Sequence, residues 1–289
     1  MLLEIMPESS NKFYLTPFNL PQIIAALEKE EISIKISPDL NLSTVLIRLD
    51  RGGVSLGGKL FSKNDLMKLG KKLSGILLIE NGVGEKLEIF AGNYLKLKPT
   101  AFAPTVEIDG IQMHRTKEMD PWEDSRRKVM NVVKPGDNVL DTCGGLGYTA
   151  IWALKLHAEC VTTVEKNPAM IEIQKKNPHS RLLNDSKIIR KSGDIFHLIQ
   201  TFKDSGFDSV IHDPPRFSLA GELYGQDFYN QLCRVMKHSG RIFHYVGDPY
   251  SKGRGRGFIE GVIKRLKTAG FKTKNDKENL GIIGEKIIN

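Results

Sequence analysis

The stretch VLDTCGGLGYTA, residues 139–150, decides the fold. An apolar run leads into Asp141, glycines follow at positions 144, 145 and 147, and helical spacing of apolar residues begins after the last of them. Glycines between a strand and a helix let the backbone turn tightly and approach a ligand with no Cβ in the way. No Gly-Lys-Ser/Thr follows, so the turn is not a P-loop, and its spacing is not GxGxxG.

Outward from this turn, strands alternate with helices. WEDSRRKVMNVV predicts a helix that ends before Pro135-Gly136. Then come strand DNVLDT, helix GYTAIWALKLHA, strand CVTTVE, helix PAMIEIQKKN and a segment leading to SGDIF. Strand FDSVIHD, a helix around DFYNQLCRVMKH, strand RIFHYVG, helix FIEGVIKRLKTAG and a tail forming an antiparallel edge complete the pattern. Such alternation predicts an α/β domain over residues 113–289, a doubly wound, Rossmann-like sheet with ligands at the carboxyl ends of its strands.

Residues 1–112 read differently, as a small α+β, β-rich domain. ISIKI, STVLIRL, GILLIE, KLEIF, YLKLK and TVEIDGI have strand character, several with period-two alternation. Asn19 is placed to cap PQIIAALEKE, and Ser62 with Asp65 forms a capping-box pattern. Asn81-Gly82 and Gly92-Asn93 are expected turns. No residue pattern here spells out chemistry, and substrate recognition is the expected role.

Composition narrows the function class. The 289 residues are 40% hydrophobic and 26% charged, enough for a sizeable core and against wholesale disorder. No apolar run is long enough for a transmembrane helix, and the acidic start is not that of a signal peptide. Three cysteines, Cys143, Cys160 and Cys233, suit neither a disulfide framework nor a metal site. A reduced, cytoplasmic, metal-free protein with no membrane partner is expected. From Arg234 onward there are 13 Lys and Arg against 5 Asp and Glu, so the whole net charge of +8 lies in the last 56 residues. That asymmetry points to a polyanion such as RNA, and Arg254 and Arg256 in the KGRGRG run suit phosphate contacts. A solvated lysine-rich surface is the plainer alternative.

Two further acids stand where ligand contacts are expected. Glu165 ends the next strand, eighteen residues beyond Gly147, where a carboxylate can accept both hydroxyls of a ribose. Asp194 lies where a third strand should end; it can accept from an adenine amine or simply cap the helix IFHLIQTF. With Asp-x-x-x-Gly-x-Gly at Asp141, Gly145 and Gly147, and Asp213-Pro214-Pro215, the chain resembles the class I S-adenosylmethionine-dependent methyltransferases over residues 120–289. Within them it is most similar to a group of predicted archaeal methyltransferases with the stretch IDGIQMHRTKEMDPWED before the core.

The resemblance implies S-adenosyl-L-methionine as cofactor and S-adenosyl-L-homocysteine as product. It places Asp141 and the loop Gly144, Gly145, Leu146 and Gly147 against the methionine part of the cofactor. Glu165 would hold the ribose and Asp194 with Ile195 the adenine, and Thr142, Cys143 and Lys166 are further expected cofactor-binding residues.

The chemistry is expected in IHDPPRFS, residues 211–218. Two consecutive prolines stiffen the loop, so Asp213 and the Pro214 carbonyl can hold an amine with its lone pair aimed at a methyl group. Amine-methylating members of the family carry a similar (Asp/Asn)-Pro-Pro-aromatic loop. Here Arg216 takes the aromatic position and Phe217 follows, suiting a phosphate and a planar base. Methylation of pyrimidine carbon 5 needs a thiolate, and HYVGDP offers His244 and Tyr245 but no cysteine.

The expected function is methylation of a nitrogen on RNA. A small-molecule methyltransferase or a spermidine-synthase-like aminopropyltransferase using decarboxylated S-adenosylmethionine is the alternative, although Leu146 stands where aminopropyltransferases carry an acid. Trp122 is either a site-lining or a core residue. The residues leave the oligomeric state open.

Overall fold

The computed structural model describes residues 11–117, 119–247 and 256–287. The chain divides into two compact units, one of Met1–Pro121 with Lys175–His179, the other of Trp122–Gln174 with Ser180–Asn289.

The second unit contains a seven-stranded sheet whose strands are β1 (Asn138–Asp141), β2 (Cys160–Glu165), β3 (Ile188–Ser192), β4 (Phe207–His212), β5 (Met236–Tyr245), β6 (Phe271–Asp276) and β7 (Gly281–Lys286). Their order across the sheet is β3-β2-β1-β4-β5-β7-β6. The first five are parallel, while β7 runs antiparallel between β5 and β6. This is the expected doubly wound, Rossmann-like α/β sheet. Strand order reverses between β1 and β4, and an open α/β sheet binds ligands at that switch point.

The helices that fall wholly or mostly in this unit, among the described residues, are α1 (Pro121–Met130), α2 (Tyr148–Lys155), α3 (Pro168–Lys176), α4 (Ile195–Leu198), α5 (Gln226–Val235) and α6 (Arg256–Thr268). Parallel strands covered on both faces need near-continuous apolar sequence, which Val139, Leu140, Val210 and Ile211 supply. Helix α5 buries Phe228, Tyr229, Leu232, Cys233 and Val235. That stripe, at helical spacing, packs into the core with Ile242, Val262 and Leu266. Cys233 is thus a core residue. MKH, expected to continue α5, instead opens β5 at Met236. The third strand, expected to end near Asp194, is β3, formed by IIRKS.

The first unit is β-rich, as expected. Strand Asn93–Lys98 lies between Glu88–Ala91 and Thr105–Ile108 in a four-stranded antiparallel sheet. Lys12–Leu15, Leu77–Glu80 and Val83–Lys86 form a three-stranded one. Helices Leu20–Glu28 and Lys63–Gly70 bury Leu20, Ile23 and Leu66 in a core with Phe13, Val54 and Ile79. The Ser62–Asp65 capping box is present. Asn19 precedes its helix without a side-chain cap; its amide instead accepts from Thr16 N at 2.7 Å and donates to the Tyr14 carbonyl at 2.8 Å.

Candidate active site

The carboxyl ends of β1, β2, β4 and β5 bring together Asp141, Glu165, Asp213 and Tyr245. Asp141 is fully buried, and its two oxygens accept from Thr149 at 3.1 Å and Thr163 at 2.7 Å. Burial pushes its pKa up to about 7 against those two hydrogen bonds, with Asp213 and Glu165 adding to the rise. The carboxyl thus ties the end of β1 to the first turn of α2 and to β2, holding the glycine loop in place.

Two glycines in that loop are required by shape. Gly147 has φ +82°, and a Cβ there would lie 2.4 Å from Leu183. At Gly144 a Cβ would meet the Thr163 hydroxyl at 2.7 Å. Leu146 is buried, and its carbonyl accepts from Ser180 at 2.7 Å. Thr142 points backwards into the core, its Oγ1 being 2.8 Å from His212 Nδ1.

Glu165 receives two backbone N–H groups, Gly145 N at 2.8 Å on one oxygen and Asn167 N at 2.7 Å on the other. Burial raises its pKa. Each oxygen keeps a second lone pair, so a diol can still donate to this carboxylate. Asp194 caps α4 through Phe196 N at 3.0 Å and pairs with Lys166 at 2.6 Å. Ile195 is buried beside it. A tight glycine-rich turn with open space at Gly145, a diol acceptor and an apolar residue beside a capping acid fit the chemistry of S-adenosylmethionine.

At the end of β4, Asp213 Oδ2 lies 2.8 Å from Lys128 Nζ, and the same ammonium lies 2.8 Å from Asp124. Lys128 also stands 4.2 Å above the Tyr245 ring. Burial works against its charge, yet Asp213 and Asp124 hold its pKa above the usual lysine range. Burial raises the Asp213 carboxyl, with Lys128 opposing. Among the described residues, no donor reaches Asp213 Oδ1 or the Pro214 carbonyl. The Pro215 carbonyl accepts from Tyr224 OH at 2.9 Å.

Arg216 and Phe217 are exposed, the Phe217 ring edge-on to Tyr224 at 5.6 Å and to Phe258 at 5.5 Å. Behind the loop, His212 and His244 are fully buried with ring centroids 4.4 Å apart. His212 Nε2 donates to the Leu223 carbonyl at 3.0 Å, and His244 Nε2 lies 2.8 Å from Tyr229 OH. His244 is therefore a core residue beneath the site. Trp122 packs against Tyr148 at 5.4 Å and Trp152 at 5.3 Å. Burial drives the Cys143 thiol well above its usual pKa, away from the thiolate. Arg254 and the Arg256 side chain lie outside the described residues.

Asp124, Lys128, His212 and Tyr224 complete the site without having been singled out from the sequence. The one sequence signal for the first pair is an Asp and a Lys four apart on a helix. Among the described residues, no three His, Cys, Asp or Glu side chains gather as a metal-binding group. No helix among them is long and apolar enough to cross a membrane.

No protein-family model matches the chain. The uncharacterized protein MJ1233 of Methanocaldococcus jannaschii is 49% identical over 223 residues, 76% of this chain and 77% of that one. Ribosomal RNA large subunit methyltransferase I of Serratia proteamaculans is 29% identical over 171 residues, 55% of this chain but only 43% of the relative. Among solved structures, spermidine synthase from Thermotoga maritima aligns with a TM-score of 0.54 at 18% identity, covering 71% of this chain and 76% of the other, a likeness of fold.

Proposed function

The chain belongs to the family of the uncharacterized Methanocaldococcus jannaschii protein MJ1233, and from that footing we propose that it is an S-adenosylmethionine-dependent methyltransferase acting on an RNA nitrogen. The observation that carries this reading is the pair of acceptors on consecutive residues, Asp213 Oδ1 and the Pro214 carbonyl, that receive no donor among the described residues. An amine that donates one hydrogen to each is held by both, leaving its lone pair unobstructed. Positioning of this kind supplies most of what an in-line displacement needs.

The cofactor would bring an electrophilic methyl group. Glu165 would bind its ribose hydroxyls, the backbone of residues 144–147 its methionine part, and Ile195 with Asp194 its adenine. Asp141 supports the glycine loop from below. Asp213, raised by burial, would take the proton shed by the alkylated nitrogen. Tyr224 holds Pro215, and so the acceptor loop, in register. Phe217 offers a face for a planar base, and Arg216 a phosphate contact.

Two observations weigh against the other chemistries. Cys143 is the cysteine at the strand ends, and its thiol is held far from the thiolate that carbon methylation requires. Lys128 puts a buried cation against Asp213, where an aminopropyl transferase would need to welcome a cationic polyamine. The 29% identity over 171 residues to a ribosomal RNA large subunit methyltransferase and the basic final segment support RNA as substrate.

Calorimetric titration with S-adenosylmethionine and its decarboxylated analogue, on wild type, Glu165→Ala and Asp213→Asn, tests this reading. The parent cofactor should bind wild type and Asp213→Asn alike and Glu165→Ala weakly, and Asp213→Asn should not methylate RNA. Preference for the decarboxylated analogue would transfer the assignment to aminopropyl chemistry.

A further inference from the structure

Within the first unit lies a cavity of about 230 Å³ between residues 37–44 and 99–104. Its volume is below the roughly 300–1,000 Å³ of sites for drug-sized ligands, which limits an occupant to a group the size of one base and its sugar.

Its walls have a distinct chemistry. Phe18 and Phe102, both lining residues, are 55% and 38% exposed; Phe102 has one side edge-on to His179 at 5.3 Å and is otherwise open, while Phe18 is the more exposed ring. Lys35 is the one cation of the lining, which contains no acid, and no carboxylate pairs with it among the described residues. Gln22 Nε2 donates to the Phe18 carbonyl at 2.9 Å, leaving Oε1 as an acceptor.

The cavity is also built rather than incidental. Asn41 Nδ2 donates to the Phe102 carbonyl at 3.1 Å, and Phe102 N donates to Thr100 Oγ1 at 3.1 Å. The two rims are thereby tied together. Leu40 holds a φ of 57°, left-handed backbone that is uncommon for a leucine, and Asn41, a residue that adopts it more readily, follows at 72°.

Aromatic rings select a planar group, an unpaired lysine selects an anion beside it, and an amide oxygen selects an N–H donor. We propose that this cavity binds one unstacked nucleotide of single-stranded RNA, the base against Phe18 and Phe102 and the phosphate on Lys35. Single-stranded RNA is recognised by splaying bases onto aromatic side chains in this way. The proposal names a substrate-binding site for the RNA methylation proposed above and rests on that reading.

The test uses the full chain, titrated with fluorescein-labelled single-stranded homopolymer oligoribonucleotides and, separately, with free nucleoside monophosphates. Phe18→Ala and Phe102→Ala should each weaken oligonucleotide binding about tenfold or more, the loss of one stacked base. Lys35→Gln should weaken all sequences alike and lower the slope of log affinity against log salt by about one. All three variants should bind S-adenosylmethionine as wild type does. Phe18 is exposed, so its variant separates lost stacking from lost folding.

Unchanged oligonucleotide affinity in Phe18→Ala and Lys35→Gln overturns the proposal. So does a free monophosphate that binds where no oligonucleotide does, which would make the cavity a small-ligand site. Phe18-dependent RNA binding with no methyl transfer to any RNA would uphold the cavity and remove the catalytic reading alone.

Discussion

Lys128 and Asp213, 85 residues apart in the chain, meet at 2.8 Å at the switch point of the sheet. The lysine side chain is 3% exposed and is shared with Asp124, which is 0% exposed. One cation thus serves two carboxylates, and removing it leaves the fully buried charge of Asp124 without its partner, next to that of Asp213, which is 20% exposed.

Lys128→Met should therefore destabilise the fold by about 3–5 kcal/mol, the usual cost of orphaning a buried ionic partner. Adding Asp124→Asn should recover part of that loss, because the pair is coupled. Denaturant midpoints of the single and double variants measure both. A Lys128→Met protein as stable as wild type would show that the cluster needs no compensating charge.

Asp141 gives a pH dependence of defined sign. Its folded pKa of about 7 exceeds its ordinary value of 3.8, so the native state binds the extra proton. The stability this contributes is complete below pH 3.8 and is lost as pH rises through 7. Burial lowers the His212 pKa to about 4, a term of opposite sign over much of that window. The difference between Asp141→Asn and wild type is therefore the readout. The variant should gain on wild type by a few kcal/mol between pH 4 and 7, about 1.4 kcal/mol per pKa unit removed, and a difference flat with pH would refute the assignment.

Gly147 is constrained twice, by its φ of +82° and by Leu183 at 2.4 Å from a would-be Cβ. Gly147→Ala should cost about 1–3 kcal/mol and weaken cofactor binding. Shortening the neighbour in Gly147→Ala/Leu183→Ala relieves the contact but not the dihedral. Binding titrations should thus show partial rescue, and full rescue would mean that the backbone conformation carries no cost.

Tyr224→Phe removes the hydrogen bond to the Pro215 carbonyl. A bond of this kind contributes about 0.5–1.5 kcal/mol, so kcat should fall up to about tenfold while cofactor affinity holds. Steady-state kinetics alongside calorimetry separate the two.

What the sequence makes legible follows from where each residue stands. Asp141, Glu165 and Asp213 each sit at or just beyond the end of an apolar strand, so a one-dimensional pattern locates them in the three-dimensional site. The glycines announce themselves by spacing. Lys128 does not, because Asp-x-x-x-Lys on a helix reads as a solvated pair, and nothing local says that this face is buried. Tyr224 and His212 are equally silent, since their partners are backbone carbonyls brought near by a 3-10 turn at Gly221–Tyr224. Asn19 illustrates the converse: a capping residue in the capping position whose amide has stronger claims elsewhere, at Thr16 and Tyr14. The cavity near Phe18 and Phe102 joins segments far apart in the chain, beyond the reach of any periodicity.

The position of β7 has a consequence for synthesis. Because it inserts between β5 and β6, β5 emerges from the ribosome with one edge unpaired and keeps it so until residues 281–286 have been made. Over that interval a nascent chain presents a ready template for pairing with another chain, ended only when β7 slides in beside it. Slow translation across residues 246–280 would lengthen that exposure, and fast translation would shorten it.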